Sequence, residues 1–193
     1  MAYTKTEWVN DVTPVNATNM NNIENAIYEL QPQSITIRAS AAESFAAGLN
    51  YYYLSNLDEI FSRCGDLFQE IGTVTPSGSL STMSGLKIPA GVKKINVSAQ
   101  TLFTNDNTNS PMYFSLFVYK ISANGEATEL TRSISQSVPI TSLNNVTLNC
   151  SEVKGVEVSE GDIIGLRVYK SIANGSMTVG TGPRTYLSVE KAE

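Results

Sequence analysis

The chain has 193 residues, a net charge of −5 and no histidine. Without histidine, the sequence excludes His-based catalytic triads, histidine metal ligands and histidine pH switches. The acidic balance argues against nucleic-acid binding, because no basic field is present to hold a phosphate backbone. Serine, threonine and asparagine number 22, 18 and 17, and only 16% of residues are charged, a composition that favours strands and turns over long surface helices.

No apolar stretch approaches the roughly 18 residues of a membrane span, and residues 1–10 lack the apolar core of a secretory signal. The sequence therefore predicts synthesis in a cytoplasm and no membrane insertion. Cys64 and Cys150 lie far apart and lack metal-ligand spacing. They are either two buried free thiols, which a reducing compartment favours, or one disulfide. No metal and no cofactor is expected.

Residues 1–32 differ in pattern from the rest of the chain. Pro14 forces an extended residue before it, and Asn16 or Thr18 can cap a following helix. A heptad stripe of apolar residues then predicts a helix over residues 17–31. The stripe consists of Met20, Ile23, Ile27 and Leu30.

A helix of about 15 residues is marginally stable on its own in water, so its apolar stripe must be buried against something. The alternatives are its own domain, a partner protein or other copies of the chain. Isoleucine at both core positions of the heptad favours three or four strands over two. The sequence therefore favours self-association or docking into a partner over packing within the chain.

The segment from Tyr3 to Ile27 contains Trp8, then Thr-Pro-Val-Asn-Ala, then Asn-Met-Asn-Asn-Ile-Glu. It resembles the N-terminal segment of many tail, baseplate, neck and head-fibre proteins of phages that infect Gram-positive bacteria. The resemblance implies attachment to the phage particle or nucleation of an oligomer. The residues that would carry this role are Trp8, Pro14, Asn16, Met20, Ile23, Glu24, Ile27 and Leu30.

Residues 33–85 are predicted to be a connecting region. Short strands at 35–38 and 51–54 precede a helix near 56–70, which is indicated by apolar residues at helical spacing. Residues 72–85 are rich in glycine, serine and threonine and predict a long loop or a pair of edge segments. The apolar residues that indicate the helix are Leu57, Ile60, Phe61, Cys64, Leu67, Phe68 and Ile71.

From residue 86 to 193 the chain alternates strand-like and turn-like segments. Asn124-Gly125 predicts a tight hairpin. Eight or so strands at a spacing of about 8–12 residues predict a sandwich or jelly roll. The predicted strands are 86–88, 92–103, 112–121, 126–138, 143–150, 153–158, 163–170, 177–180 and 185–190.

Three motifs in this region, Ile88–Val92, Val158–Leu166 and Thr185–Val189, resemble in order and placement those of the C1q/TNF-like jelly roll. The resemblance implies a homotrimer with a central aromatic strand at its threefold axis. The alternative for these aromatic residues is the core of a single sandwich. The candidates for the trimer core are Tyr113, Phe117, Tyr119 and Tyr169.

Catalytic motifs are not indicated, and the protein is not expected to be an enzyme. The chain has no Gly-x-Ser-x-Gly elbow. A glycosidase needs two carboxylates roughly 5–9 Å apart, but the neighbouring pairs Asp58/Glu59 and Glu160/Asp162 are more typical of a helix start and a turn.

The predicted fold is mainly β: a C-terminal jelly-roll sandwich preceded by a short N-terminal helical anchor and one further helix. The two resemblances imply a homotrimeric structural protein on the virion surface, a head fibre or tail-tip protein, with capsid or tail and baseplate proteins as partners. A soluble carbohydrate-binding, lectin-like module without particle attachment is the alternative.

Polar loops at 104–110, 122–126 and 171–176 are candidates for contact with host cell-surface glycans, because amides and hydroxyls match sugar hydroxyls. The candidate residues are Asn105, Asp106, Asn107, Asn124 and Asn174.

Overall fold

A computed structural model describes residues 17–30, 32–45, 50–105, 112–133, 136–138, 144–171 and 176–192. The chain divides into two compact units, Met1–Pro32 and Gln33–Glu193. Within the described ranges, no helix combines the length and the apolar character that a membrane span needs.

The first unit contains the helix α1, Ala17–Leu30, which confirms the helix predicted there. Its apolar stripe is open to solvent: Met20 is 43% exposed and Ile27 is 54% exposed. Ile23, between them on the stripe, is half-buried.

The second unit is an antiparallel β-sandwich. In chain order its described strands are β1 Ser34–Ala39, β2 Glu43–Phe45, β3 Tyr51–Tyr53, β4 Leu57–Cys64, β5 Ile71–Val74, β6 Met83–Lys87, β7 Lys94–Asn105, β8 Met112–Ile121, β9 Ala127–Arg132, β10 Gln136–Val138, β11 Asn144–Glu157, β12 Ile163–Lys170, β13 Met177–Val179 and β14 Gly182–Lys191. The first sheet has the order β2-β13-β7-β14-β1-β4, with β11 also paired to β7. The second has the order β10-β8-β12-β6-β5, with β3 paired to β12 and β9 to β8.

Strand alternation builds the core between the two sheets. Along β7 every second residue is buried, from Ile95 to Asn105, as expected for a strand with one inward face. At the centre, the rings of Phe103 from the first sheet and Phe114 from the second stack with centroids 5.0 Å apart. Each large apolar side chain buried in this way stabilises the fold by roughly 1.5–3 kcal/mol.

The helix predicted near 56–70 is wrong. This stretch contains β4, and Gly65 ends the strand with a left-handed φ of 76°. Residues 33–85 are also not a mere connection, because they supply β1 to β5 and the start of β6. The sandwich therefore begins at Gln33, not at residue 86.

The register between β1 and β4 explains the misleading apolar spacing. Ala39 pairs with Leu57 and Ile37 pairs with Ile60, with a bulge between the two pairs. A bulge adds one residue to one strand, so the two-residue spacing of inward positions becomes the three-residue spacing of a helix.

The two cysteines are free thiols, so the disulfide alternative is wrong. Cys150 is buried as predicted, and its thiol lies 3.4 Å from the carbonyl oxygen of Leu116, to which it donates a hydrogen bond. Cys64 is exposed, contrary to the prediction, because it ends a strand at the edge of the first sheet.

We expect iodoacetamide at pH 8 to label Cys64 in the native protein and to leave Cys150 unlabelled. Burial raises the pKa of the Cys150 thiol to about 12, so almost no reactive thiolate forms at that pH, and the same burial blocks access. Mass spectrometry of tryptic peptides measures both sites. In the Cys64→Ser variant, labelling should appear only after unfolding in urea; labelling of native Cys150 would contradict its placement.

Candidate binding site

The two sheets present chemically different outer faces. On the first sheet, uncharged polar groups pair across strands: the hydroxyl oxygens of Thr36 and Ser188 are 3.0 Å apart, and Thr104 donates to the Asn145 amide oxygen at 2.6 Å. On the second sheet, aromatic rings surround an arginine. We call this cluster the tyrosine–arginine patch; it consists of Tyr51, Tyr53, Phe117, Tyr119, Arg167 and Tyr169.

Strand pairing brings the patch together from β3, β12 and β8. The intervening residues of β12 are buried between the sheets, so Arg167 and Tyr169 face outward. On one side, β3 places Tyr51 opposite Tyr169 and Tyr53 opposite Arg167. On the other side, β8 places Phe117 opposite Arg167.

The aromatic rings of the patch form a continuous cluster, in which Tyr53 and Phe117 are buried. The centroid of the Tyr51 ring is 4.8 Å from that of Tyr169 and 6.2 Å from that of Phe117. The Phe117 ring is 6.3 Å from Tyr119, which meets Tyr53 edge-on at 5.6 Å. Aromatic pairs at these separations each stabilise the fold by about 0.5–1.5 kcal/mol in addition to the effect of burial, so the rings hold one another in place.

The Arg167 guanidinium lies at the centre of these rings. Its central carbon is 4.3 Å from the Tyr51 ring centroid, 5.0 Å from that of Tyr53 and 5.4 Å from that of Tyr119. Its Nη1 donates a hydrogen bond of 3.1 Å to the Tyr119 hydroxyl, which in turn donates to the Glu129 carboxylate at 3.4 Å. These contacts fix the position of the charge. Burial raises the pKa of the Tyr53 hydroxyl, although Arg167 opposes the shift.

The charge of Arg167 is not neutralised directly. Among the described residues, no carboxylate lies within ion-pair distance of its guanidinium, and its Nε–H group is buried without a hydrogen-bond acceptor. An unsatisfied buried donor costs roughly 1–3 kcal/mol. Such a group in a native fold calls for an explanation, for example a bound water or ion.

A cleft of about 600 Å³ opens beside the patch. Its far wall is the loop 78–81, where the Leu80 side chain is 91% exposed. The loop is fixed to the hairpin turn near Asn124, because the Ser77 backbone N–H donates to the Gly125 carbonyl oxygen at 2.9 Å. The residues that line the cleft are Asn50, Tyr51, Gly78, Ser79, Leu80, Ser81, Arg167 and Tyr169.

Volume and chemistry together point to small-ligand binding in this cleft. Its volume falls in the range of roughly 300–1,000 Å³ that is typical of such sites. A second depression of about 330 Å³ lies near Lys87, but there the ammonium group is 2.7 Å from the Glu70 carboxylate and is already neutralised. Only the cleft beside the patch combines aromatic faces with a cation that lacks a carboxylate partner in the described chain.

The structure brings together three of the four residues predicted for a trimer core, Phe117, Tyr119 and Tyr169, on the outer face of the second sheet. Tyr113 follows on the outward side of the same strand, β8, and is 52% exposed. None of the four belongs to the main core cluster between the sheets, but Phe117 is buried and Tyr119 packs against a smaller buried cluster that includes Tyr53, so the core alternative is not overturned for these two. Their role at a threefold axis stays a prediction.

The loop residues predicted for glycan contact differ from one another in exposure. Asn105 ends β7 and is 2% exposed, so its predicted contact with a host glycan is wrong: the side chain is enclosed by the fold. Asn124 is exposed, and its amide oxygen accepts hydrogen bonds from the Ser122 hydroxyl and from the Glu126 backbone N–H. The remaining candidates lie outside the described residues; they are Trp8, Pro14, Asn16, Asp106, Asn107 and Asn174.

The acidic pairs weighed for catalysis have structural partners. The Glu59 carboxylate accepts a hydrogen bond from the Arg38 guanidinium, which lowers the pKa of that carboxyl group. The Asp162 carboxylate is buried and accepts from the Ser159 backbone N–H at 2.9 Å, which holds the turn before β12.

Tyr51, Tyr53 and Arg167 were not among the site residues predicted from the sequence. Two signals pointed to them. Tyr51 and Tyr53 flank Tyr52 with the two-residue spacing that places side chains on one strand face. Arg167 interrupts the largely apolar run from Ile163 to Tyr169 in β12, and a charge in that position needs a partner or a function.

No protein-family model and no curated protein matches the chain. Among solved structures, the fold is similar to that of murine APRIL, at 15% identity and a TM-score of 0.52, over 83% of this chain and 98% of that one. It is also similar to Eiger TNF from S. frugiperda, at 10% identity and a TM-score of 0.52, over 84% of this chain and 94% of that one. At these identities the likeness establishes the fold alone, and it confirms the predicted architecture as a mainly β, TNF-like sandwich.

Proposed function

We propose that this protein is a structural component of a phage particle. It is a homotrimeric fibre or decoration on the virion surface, attached through residues 1–32, and it carries the sandwich outward to contact the host. The observation that carries the proposal is the open apolar stripe of α1, on which Met20 and Ile27 are 43% and 54% exposed.

An exposed heptad stripe on a 14-residue helix needs a partner surface that buries it. A helix of this length is marginal in water unless a packed face stabilises it. The residues of the sandwich core all lie between Ile35 and Val189, so the sandwich is complete without the first unit. The N-terminal resemblance to phage appendage proteins supports further copies of the chain or another protein of the particle as that partner.

We expect the full chain to have a native mass of about 63 kDa, three times 20.9 kDa, by light scattering on a sizing column. The double variant Ile23→Ser/Ile27→Ser should shift this mass towards the monomer, because it removes apolar burial worth roughly 1.5–3 kcal/mol for each side chain in each helix. The matched control is Asn22→Ser/Asn25→Ser, on exposed positions of the same helix, and it should remain at 63 kDa.

A monomeric full chain would contradict the homotrimer. A stripe variant that stays trimeric would assign the trimer contacts to the sandwich and leave α1 for a partner in the particle. Labelling intact particles with an antibody against the sandwich would then place the protein on the head or at the tail tip.

The cleft beside the tyrosine–arginine patch favours a second candidate, a soluble carbohydrate-binding module without particle attachment. The two candidates differ in what they require of residues 1–32. The soluble module keeps its assembly state and its only activity when these residues are removed, whereas a particle protein loses its place on the virion.

A further inference from the structure

We infer that the cleft between the tyrosine–arginine patch and the loop 78–81 binds an anionic saccharide. The sugar ring packs against Tyr51 and Tyr169, and its carboxylate or phosphate group pairs with Arg167. This assigns a ligand class to the host contact, and it rests on the proposed function for its biological setting.

The charge of Arg167 selects an anionic ligand. The guanidinium lines the cleft and has no carboxylate within ion-pair distance among the described residues. Arginine pairs with carboxylate and phosphate through charge-assisted hydrogen bonds that are roughly twice as strong as neutral ones. Because the three tyrosine rings already face this cation at 4.3–5.4 Å, a second cation would meet repulsion instead of a free aromatic face.

The walls of the cleft select a ring with hydroxyl groups. Tyr51 is 46% exposed and presents part of its ring to the cleft, where C–H groups of a sugar can pack. The opposite wall offers hydroxyl groups of Ser79 and Ser81, whose oxygens are 3.2 Å apart. The Asn50 amide is held in place by a 2.8 Å hydrogen bond that its nitrogen donates to the Lys170 carbonyl oxygen. Apolar faces with a few fixed polar groups are the usual construction of small-ligand sites.

The site is proposed to bind anions, whereas the protein as a whole is negatively charged. With a net charge of −5, the chain does not attract anions at long range, so recognition depends on the short-range pair with Arg167. A flat contact with a second copy of the chain fits the patch less well than a small ligand does. Such a contact would bury the guanidinium and leave the 600 Å³ cleft unfilled.

The test is saturation-transfer NMR and titration calorimetry on the full chain with four probes. Methyl β-glucuronide carries the carboxylate and glucose 6-phosphate carries the phosphate, whereas methyl β-glucuronamide and glucose are their neutral counterparts. We expect one or both anions to bind about 10-fold or more tightly than the neutral sugars. The preferred anion distinguishes an acidic sugar from a phosphorylated one as the source of the charge.

Variants then assign the binding to the cleft. Arg167→Gln should abolish the preference for the anion, Arg167→Lys should retain part of it, and Tyr51→Ala should weaken all four probes. The control is Arg63→Gln, an exposed arginine on β4 of the other sheet, which should bind as the parent does. A thermal unfolding curve for each variant separates loss of binding from loss of the fold.

Equal binding of glucuronide and glucuronamide, or an Arg167→Gln variant that keeps the preference, would overturn the inference. So would an Arg167→Gln variant that changes native mass while no probe binds the parent, because the patch would then be a contact between copies. Anion binding by a parent chain that is monomeric and absent from particles would uphold the site and reject the proposed function.

Discussion

Replacing Gly85 by alanine is expected to remove most of the stability of the sandwich. A Cβ atom at this position would lie 2.1 Å from the carbonyl oxygen of Ile164 and 3.0 Å from the Cα atom of Gly165. These are backbone atoms of β12, which pairs with β6 at this point, so neither can move without breaking the ladder. We expect a loss of about 4 kcal/mol or more in the free energy of unfolding, from a total of roughly 5–15 kcal/mol.

The same substitution also tests how the cleft is built. Arg167 follows Gly165 by two residues on β12, and the loop 78–81 leads into β6, so the close approach of the two glycines sets the distance between the cleft walls. Separation of the strands should therefore remove ligand binding along with stability.

Urea denaturation followed by circular dichroism measures the effect of Gly85→Ala. The control is Gly180→Ala, where the nearest contact of a new Cβ is the Leu102 side-chain end at 2.8 Å, a group that can rotate away. That variant should lose less than about 1.5 kcal/mol. Similar losses in the two variants would show that β6 and β12 do not approach as closely as the structure has them.

The sequence specified the strands of this fold better than their pairing. β8 runs from Met112 to Ile121 and β12 from Ile163 to Lys170, as their hydrophobic runs and flanking turns predict. β4 was missed because its bulge imitates a helical repeat, and because an edge strand leaves Ile60 and Phe61 exposed at 42% and 50%. Burial on one face, the signal that identifies a strand, is weak where only one neighbour is present.

The binding site was predicted only in part for a related reason. The aromatic residues of β8 and Tyr169 were predicted for a trimer core and not for a ligand site. Tyr51 and Tyr169 are 118 positions apart in the chain and meet only because β3 pairs with β12. No local pattern encodes this register. The charge of Arg167 was visible in the sequence, whereas the lack of a carboxylate partner for it among the described residues depends on which side chains the two sheets bring beside it.

Deleting residues 1–32 is expected to remove the protein from particles and to leave the sandwich folded. Among the described residues, the main core cluster runs from Ile35 to Val189, so the sandwich has a core of its own within residues 33–193. Residues 33–193 also keep the pairing of the first strand with the last, because β1 starts at Ser34 and pairs with β14 through Glu190. The unfolding transition of residues 33–193 should therefore match that of the second unit in the full chain.

Incorporation of the protein into particles, unlike its folding, should depend on residues 1–32. Under the proposed function, the stripe of α1 and the segment before it make all contacts with the particle, so a chain that lacks them should be absent from purified virions. Immunoblots of particles assembled with the full or the deleted chain measure this, and Asn22→Ser/Asn25→Ser serves as the incorporated control. Full incorporation of residues 33–193 would move the attachment site to the sandwich and would contradict the role assigned to α1. A deleted chain that does not fold would instead contradict the independence of the second unit, which circular dichroism reports separately.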